Sequence, residues 1–186
     1  MDTDHGTLEK IDEGTARITF VRDLRHSRDR VWRALTDNDE LEKWFPSTID
    51  GERKAGAPLK FVFPFEDAPV MEGTMRVCDP QEVIEFDWGG DVIRIELADH
   101  DGGTRLTLTD TFAEYEKAAR DSGGWHACLD DLGFALQGVD PPYDRKLRWK
   151  DVSPWYYANY PKEATTAPVP DIHPDAEEMN KELKLS

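Results

Sequence analysis

The chain has 186 residues, with 39 acidic against 23 basic side chains and a formal net charge of −16. So large an excess of carboxylates repels phosphate backbones and anionic lipid, which argues against nucleic-acid and membrane-surface partners. The length, with a hydrophobic fraction of 38%, suits one globular domain with a sizeable core.

The opening run MDTDHGTLEKIDEG is acidic where a signal peptide would be basic and then apolar, and residues 1–14 read as an acidic tail. No run approaches the roughly 20 apolar residues of a membrane helix, so a cytoplasmic protein is expected. The alternation of Ala16 to Val21 predicts a half-buried strand. Ser27 can cap a short helix through Leu35. Asp37-x-x-Glu40 has the form of a capping box for a second, with Leu41, Trp44 and Phe45 on one face, and Pro46 ends it.

Short apolar runs separated by turn chemistry follow: Leu59 to Phe65, Val70 to Val77, Val83 to Trp88, Val92 to Leu97 and Thr104 to Thr111. They predict an antiparallel meander. Parity puts Phe61/Phe63/Phe65, Met71/Met75/Val77, Ile84/Phe86/Trp88, Ile93/Ile95/Leu97 and Leu106/Leu108 on one face, and charged residues on the other. Gly102-Gly103-Thr104 joins two strands and is a turn, not a phosphate loop. The segment Gly124 to Gly138 predicts a long amphipathic helix, with Trp125, Cys128, Leu129, Leu132, Ala135 and Leu136 along one stripe and Asp130 and Asp131 off it. Its apolar stripe must pack on the apolar sheet face, which gives an α+β domain with helices on one side of a curved sheet. The aromatic cluster Tyr143, Trp149, Trp155, Tyr156, Tyr157 and Tyr160 either wraps the domain or forms a homodimer contact. The proline-rich residues 161–186 read as a tail or extended strap.

Val31-Trp32-Arg33-Ala34-Leu35-Thr36-Asp37 with Leu41 to Phe45, Gly73-Thr74-Met75, Val83 to Trp88, the run Gly102 to Thr109 and Gly124 to Asp130 together resemble the AHSA-like family. That family is named after a domain of the activator of the heat-shock protein 90 ATPase and belongs to the START-like (SRPBCC) helix-grip superfamily. The resemblance spans residues 15–140, leaving 141–186 as an extension. It implies a seven-stranded antiparallel sheet gripping a long C-terminal helix, with an apolar cavity between them. The superfamily includes lipid carriers, hormone receptors, aromatase/cyclase enzymes and chaperone activators, so fold alone does not choose a function. Many relatives have His where this chain has Asp110, so no role of that histidine carries over.

Cys78 and Cys128 have no metal-ligand spacing, and His5, His26, His100, His126 and His173 form no chelating pair. No disulfide framework, metal or cofactor is expected. The expected ligand-binding set is Trp44, Phe45, Phe61, Phe63, Met71, Met75, Phe86, Trp88, Leu108, Asp110, Trp125 and Leu129, since concave apolar sites recruit aromatics and methionine. The alternative for these residues is simple core packing. Asp110 shares parity with Leu106, Leu108 and Phe112, so it either ends the apolar file as a desolvated carboxylate of raised pKa or sits solvated at the rim. His126 could point to a cavity mouth, or merely cap or pack. Ser122 and Ser153 stand in no nucleophile-elbow context. The favoured reading is non-catalytic binding or carriage of a small apolar molecule. A chaperone-activator role and a cyclase-like or hydrolytic enzyme using Asp110 or His126 are the alternatives. The charge excess reads as a solvated surface, with five acids and one base in residues 1–14 and six acids and three bases in 161–186.

Overall fold

Period-two alternation of apolar side chains builds most of the molecule. The computed structural model describes residues 4–64, 68–145, 147–169 and 176–184; Phe65 and His173 lie outside them. Eight strands form one antiparallel sheet: β1 (Thr7–Lys10), β2 (Ala16–Leu24), β3 (Thr48–Asp50), β4 (Pro58–Val62), β5 (Met71–Asp79), β6 (Val83–Trp88), β7 (Asp91–His100) and β8 (Gly103–Phe112). Their spatial order is β1-β2-β8-β7-β6-β5-β4-β3. The resemblance implies seven strands. The acidic start contributes the additional edge strand β1, where a tail was expected, pairing Leu8 with Ile18 on β2.

The inner face follows the predicted parity, with Ile18, Phe20, Phe61, Met75, Ile84, Phe86, Ile93, Ile95, Leu106 and Leu108 all buried. One position departs from it. A bulge between Met75 and Val77 sets Met75 opposite Phe86 but Val77 opposite Glu85, so the extra residue turns Val77 to the outer face and brings Cys78 inward opposite Ile84.

Two short helices, α1 (Arg28–Thr36) and α2 (Asn38–Leu41), follow β2. Ser27 Oγ accepts the Arg30 N–H at 3.3 Å and Asp37 Oδ1 accepts that of Asp39 at 3.0 Å, as their sequence positions predict. The long helix α3 runs Ala118–Gln137, six residues earlier than Gly124. It continues through Gly123 and Gly124 because tertiary packing overrides their poor helix propensity. A Cβ on Gly123 would fall on Ser153 Oγ of α4 (Arg148–Asn159), so the glycine lets the two helices touch. Val31, Leu35, Trp125, Leu129, Leu132 and Leu136 share one core with the inner sheet face. Burial of such side chains, worth about 1.5–3 kcal/mol each, clamps α3 to the sheet.

The aromatic extension wraps the domain. Trp149 Nε1 donates to Arg120 O at 3.1 Å, and Arg148 meets Asp130 Oδ2 at 2.6 Å. The Tyr156 hydroxyl accepts the Gly6 N–H at 3.1 Å, and Trp155 stacks on His5 at 3.8 Å. Further along, α5 (Ala176–Lys184) is a helix where a tail or strap was expected. Asn180 clamps Val169 through both backbone groups, accepting its N–H at 2.7 Å and donating to its carbonyl at 3.1 Å. Among the described residues no helix is long and apolar enough to cross a membrane.

Candidate functional site

A cavity of about 470 Å³ opens between the β6–β7 end of the sheet and the first turns of α3. Its apolar wall is Phe63, Met71, Trp88 and Trp125, roofed by Trp149, Val169 and Met179 from the extension. Trp88 ends β6 and contacts Phe45, Phe61, Phe63 and Trp125, with ring centroids 4.9 to 5.9 Å apart. The turn after it is Gly89-Gly90, both at positive φ, which returns the chain tightly enough to place Asp91 at the cavity end. Gly89 is required twice, since a Cβ there would lie 2.8 Å from Met71 Sδ.

Of the twelve predicted ligand-binding residues, five line this cavity: Phe63, Met71, Trp88, Asp110 and Trp125. Trp44, Phe45, Phe61, Met75, Phe86, Leu108 and Leu129 are buried in the core and do not line it. Parity selects the inner face correctly, but the centre of that face is filled by side chains from α1 to α3. Only its end stays open, and strand alternation carries no information on which end.

The polar end is assembled from four elements, β7, β8, the turn before α3 and α3 itself. Asp110, on β8, sits between Ile18 of β2 and Ile93 of β7 and is 1% exposed. The rim-solvated alternative is thereby overturned, because the β2 and β7 ladders continue past it on both sides. Its Oδ2 accepts the Trp125 indole N–H at 2.9 Å, while Oδ1 is buried without a hydrogen-bond partner. Burial, reinforced by repulsion from Asp91, outweighs the indole bond and pushes the carboxyl up to about 8. At neutral pH it is largely protonated.

Lys117, in a 3₁₀ turn at Tyr115–Lys117, reaches Asp91 with its ammonium 2.7 and 2.6 Å from the two carboxylate oxygens. Burial works against the ammonium, but its bonds to Asp91 prevail and hold Lys117 protonated. Asp91, Asp110 and Asp121 offer carboxylate oxygens within 4.8 Å of one another. That spacing could suit a cation, but the Lys117 ammonium, also 3.7 Å from Asp121 Oδ2, already supplies the compensating charge. The sequence gives no sign of this cluster, because its members are far apart along the chain. Asp91, Asp110, Lys117 and also Asp131, which pairs with Arg145 at 2.9 Å, are buried. The charged residues are therefore not all surface residues, as their sequence pattern suggests.

Of the two candidate acid/base residues, Asp110 lines the cavity and His126 is engaged elsewhere. His126 Nδ1 lies 2.8 Å from the Tyr156 hydroxyl, packed under the extension and not among the residues that line this cavity. Ser122 Oγ lies 3.1 Å from the Tyr160 hydroxyl. Cys128 reaches the cavity, but burial pushes its thiol up to about 12, so it stays protonated and a poor nucleophile.

Comparison with known proteins places this geometry. Residues 25–137 match the family model described as Activator of Hsp90 ATPase homolog 1-like protein. No curated protein matches the sequence. Among solved structures, the conserved protein EF2215 of unknown function from Enterococcus faecalis superposes with a TM-score of 0.66 at 20% identity, covering 82% of this chain and 88% of that one. CalU16 from Micromonospora echinospora gives 0.65 at 21% identity over 84% and 98%. At such identities the likeness is one of fold.

Proposed function

Since the chain belongs to the Activator of Hsp90 ATPase homolog 1-like family and leaves room between its sheet and α3, we propose that it binds a small molecule with an apolar body there, without transforming it. The observation that carries this reading is the cavity of about 470 Å³, aromatic on its walls and lined at one end by Asp110, one of whose carboxyl oxygens is buried without a partner. Its size falls among small-molecule sites, and a few polar groups in an apolar concavity are what such sites use to orient a ligand. The non-catalytic reading rests on the engagement of His126 with Tyr156 and of Ser122 with Tyr160, and on the protonated thiol of Cys128, which leave Asp110 with no histidine, serine or thiolate partner among the lining residues.

The protein is tested as the purified full chain against a panel of neutral aromatic and aliphatic molecules, by thermal shift and native mass spectrometry. A ligand at a hundred times its Kd adds about 2.7 kcal/mol of stability, which raises Tm by roughly 5–10 °C in a chain of this size. One-to-one adducts with that shift are the expected result. A panel that yields neither adduct nor shift refutes the reading.

A further inference from the structure

We infer that the cavity is built for a small lipophilic amine, with its ammonium paired to Asp110 Oδ1 and its apolar body laid on Trp88 and Trp125. This deepens the reading above and rests on it.

Four observations converge on a cation. Asp110 lines the cavity, and its Oδ1, an acceptor once the carboxyl ionises, is buried without a partner. The lining cations already have carboxylate partners: Lys117 donates to Asp91 and Arg120 Nε to Asp121, while the indoles of Trp125 and Trp149 donate to Asp110 and to Arg120 O. An incoming anion would have to compete with those carboxylates. The formal sign of the lining is negative even with Asp110 protonated, with Asp91, Glu114 and Asp121 against two cations, Lys117 and Arg120. Finally, Trp88, Trp125 and Trp149 with Met71 and Met179 are among the remaining lining residues, and a positive charge is attracted to the face of tryptophan.

Charge and proton balance follow simply. The amine enters as its ammonium ion, Asp110 gives up its carboxyl proton to solvent, and an ammonium–carboxylate pair forms in the cavity. Around Asp110 the charged groups are Asp91 on β7, Glu114 and Lys117 at the 3₁₀ turn, and Arg120 and Asp121 on α3. Asp91 and Asp121 oppose its ionisation, and Lys117, bound to Asp91, only partly offsets them. A cationic ligand reverses that balance. With the free carboxyl at about 8, amine affinity should rise about tenfold from pH 6 to pH 7 and level off above pH 8, and about 0.9 proton should be released per amine bound at pH 7.

The experiment is calorimetric titration of the full chain with 2-naphthylmethylamine, 2-naphthylmethanol and 2-naphthoate at pH 6, 7 and 8, in two buffers of different ionisation enthalpy. The amine should bind at least tenfold tighter than the alcohol at pH 8, and this advantage should shrink toward parity at pH 6. Proton release should accompany it, and Asp110→Asn should bind amine and alcohol alike. If the alcohol or the carboxylate matches or exceeds the amine at every pH, the amine inference fails while the cavity reading stands. It fails in the same way if neutral Nile red binds and none of the three naphthyl compounds does. If Nile red does not bind either, the cavity reading falls with it. The wild-type pH profile and proton release do not depend on the folding of the variant.

Discussion

Replacing Asp110 by Asn should stabilise the protein, by an amount that grows with pH. In the folded chain the carboxyl lies between Ile18 and Ile93 and is pushed from its ordinary 3.8 to about 8, chiefly by burial and then by Asp91. A carboxyl raised in this way supports the folded state through its protonated form. That support is complete below pH 3.8 and is lost as the pH climbs toward 8. Each unit in that window costs about 1.4 kcal/mol, so on the order of 3 kcal/mol is lost between pH 5 and pH 7.5. Asparagine keeps an acceptor oxygen for the Trp125 indole and has no charge to desolvate, so its profile lacks this slope. Urea unfolding of both proteins at pH 5, 6, 7 and 7.5 measures the effect, and the other titrating groups largely cancel in the difference. The stability advantage of Asp110→Asn should widen by about 3 kcal/mol across the series. A gap that stays constant with pH would show that Asp110 titrates like a solvated aspartate and refute the desolvation argument.

Lys117→Met should leave the Asp91 carboxylate buried without its cation and cost about 3–5 kcal/mol at pH 7; adding Asp91→Asn should recover most of that loss in chemical denaturation. Gly123→Ala places a methyl on Ser153 Oγ and should lower stability by about 1–3 kcal/mol despite the better helix propensity. Gly133→Ala, where a Cβ meets nothing within 4 Å, should raise it by up to about 1 kcal/mol, both variants being read by urea unfolding.

Much of the sheet is legible in the sequence because alternation is a local property. β6 begins and ends at the predicted residues, Val83 and Trp88, and the inner face of β7 and β8 follows from parity alone. β1 is not legible, since an edge strand of Thr7, Leu8, Glu9 and Lys10 buries too little for its pattern to show. The start of α3 is hidden for another reason. Gly123-Gly124 looks like a helix boundary in sequence, and only the approach of Ser153 and the open space beside Gly124 explain two glycines inside a helix. The predicted aromatic site mixes wall with core, because Trp44 and Phe61 have the same chemistry as Trp88 and differ only in what covers them. Asp110 is legible as an inward residue, but the Lys117–Asp91 pair beside it depends on chain segments meeting in space.

Gly124 offers the most direct test of the central claim that the chain holds a ligand beside α3. It lies on the cavity wall, and a Cβ there meets nothing within 4 Å, while helix propensity improves by up to about 1 kcal/mol. The measurement is the Kd of Nile red for wild type, Gly124→Leu and Gly133→Leu, with Tm recorded for each. Wild type and Gly133→Leu should bind alike, and Gly124→Leu should bind at least tenfold more weakly with its Tm unchanged or raised. Equal binding by all three proteins, or no binding by wild type, would contradict a ligand site in this cavity.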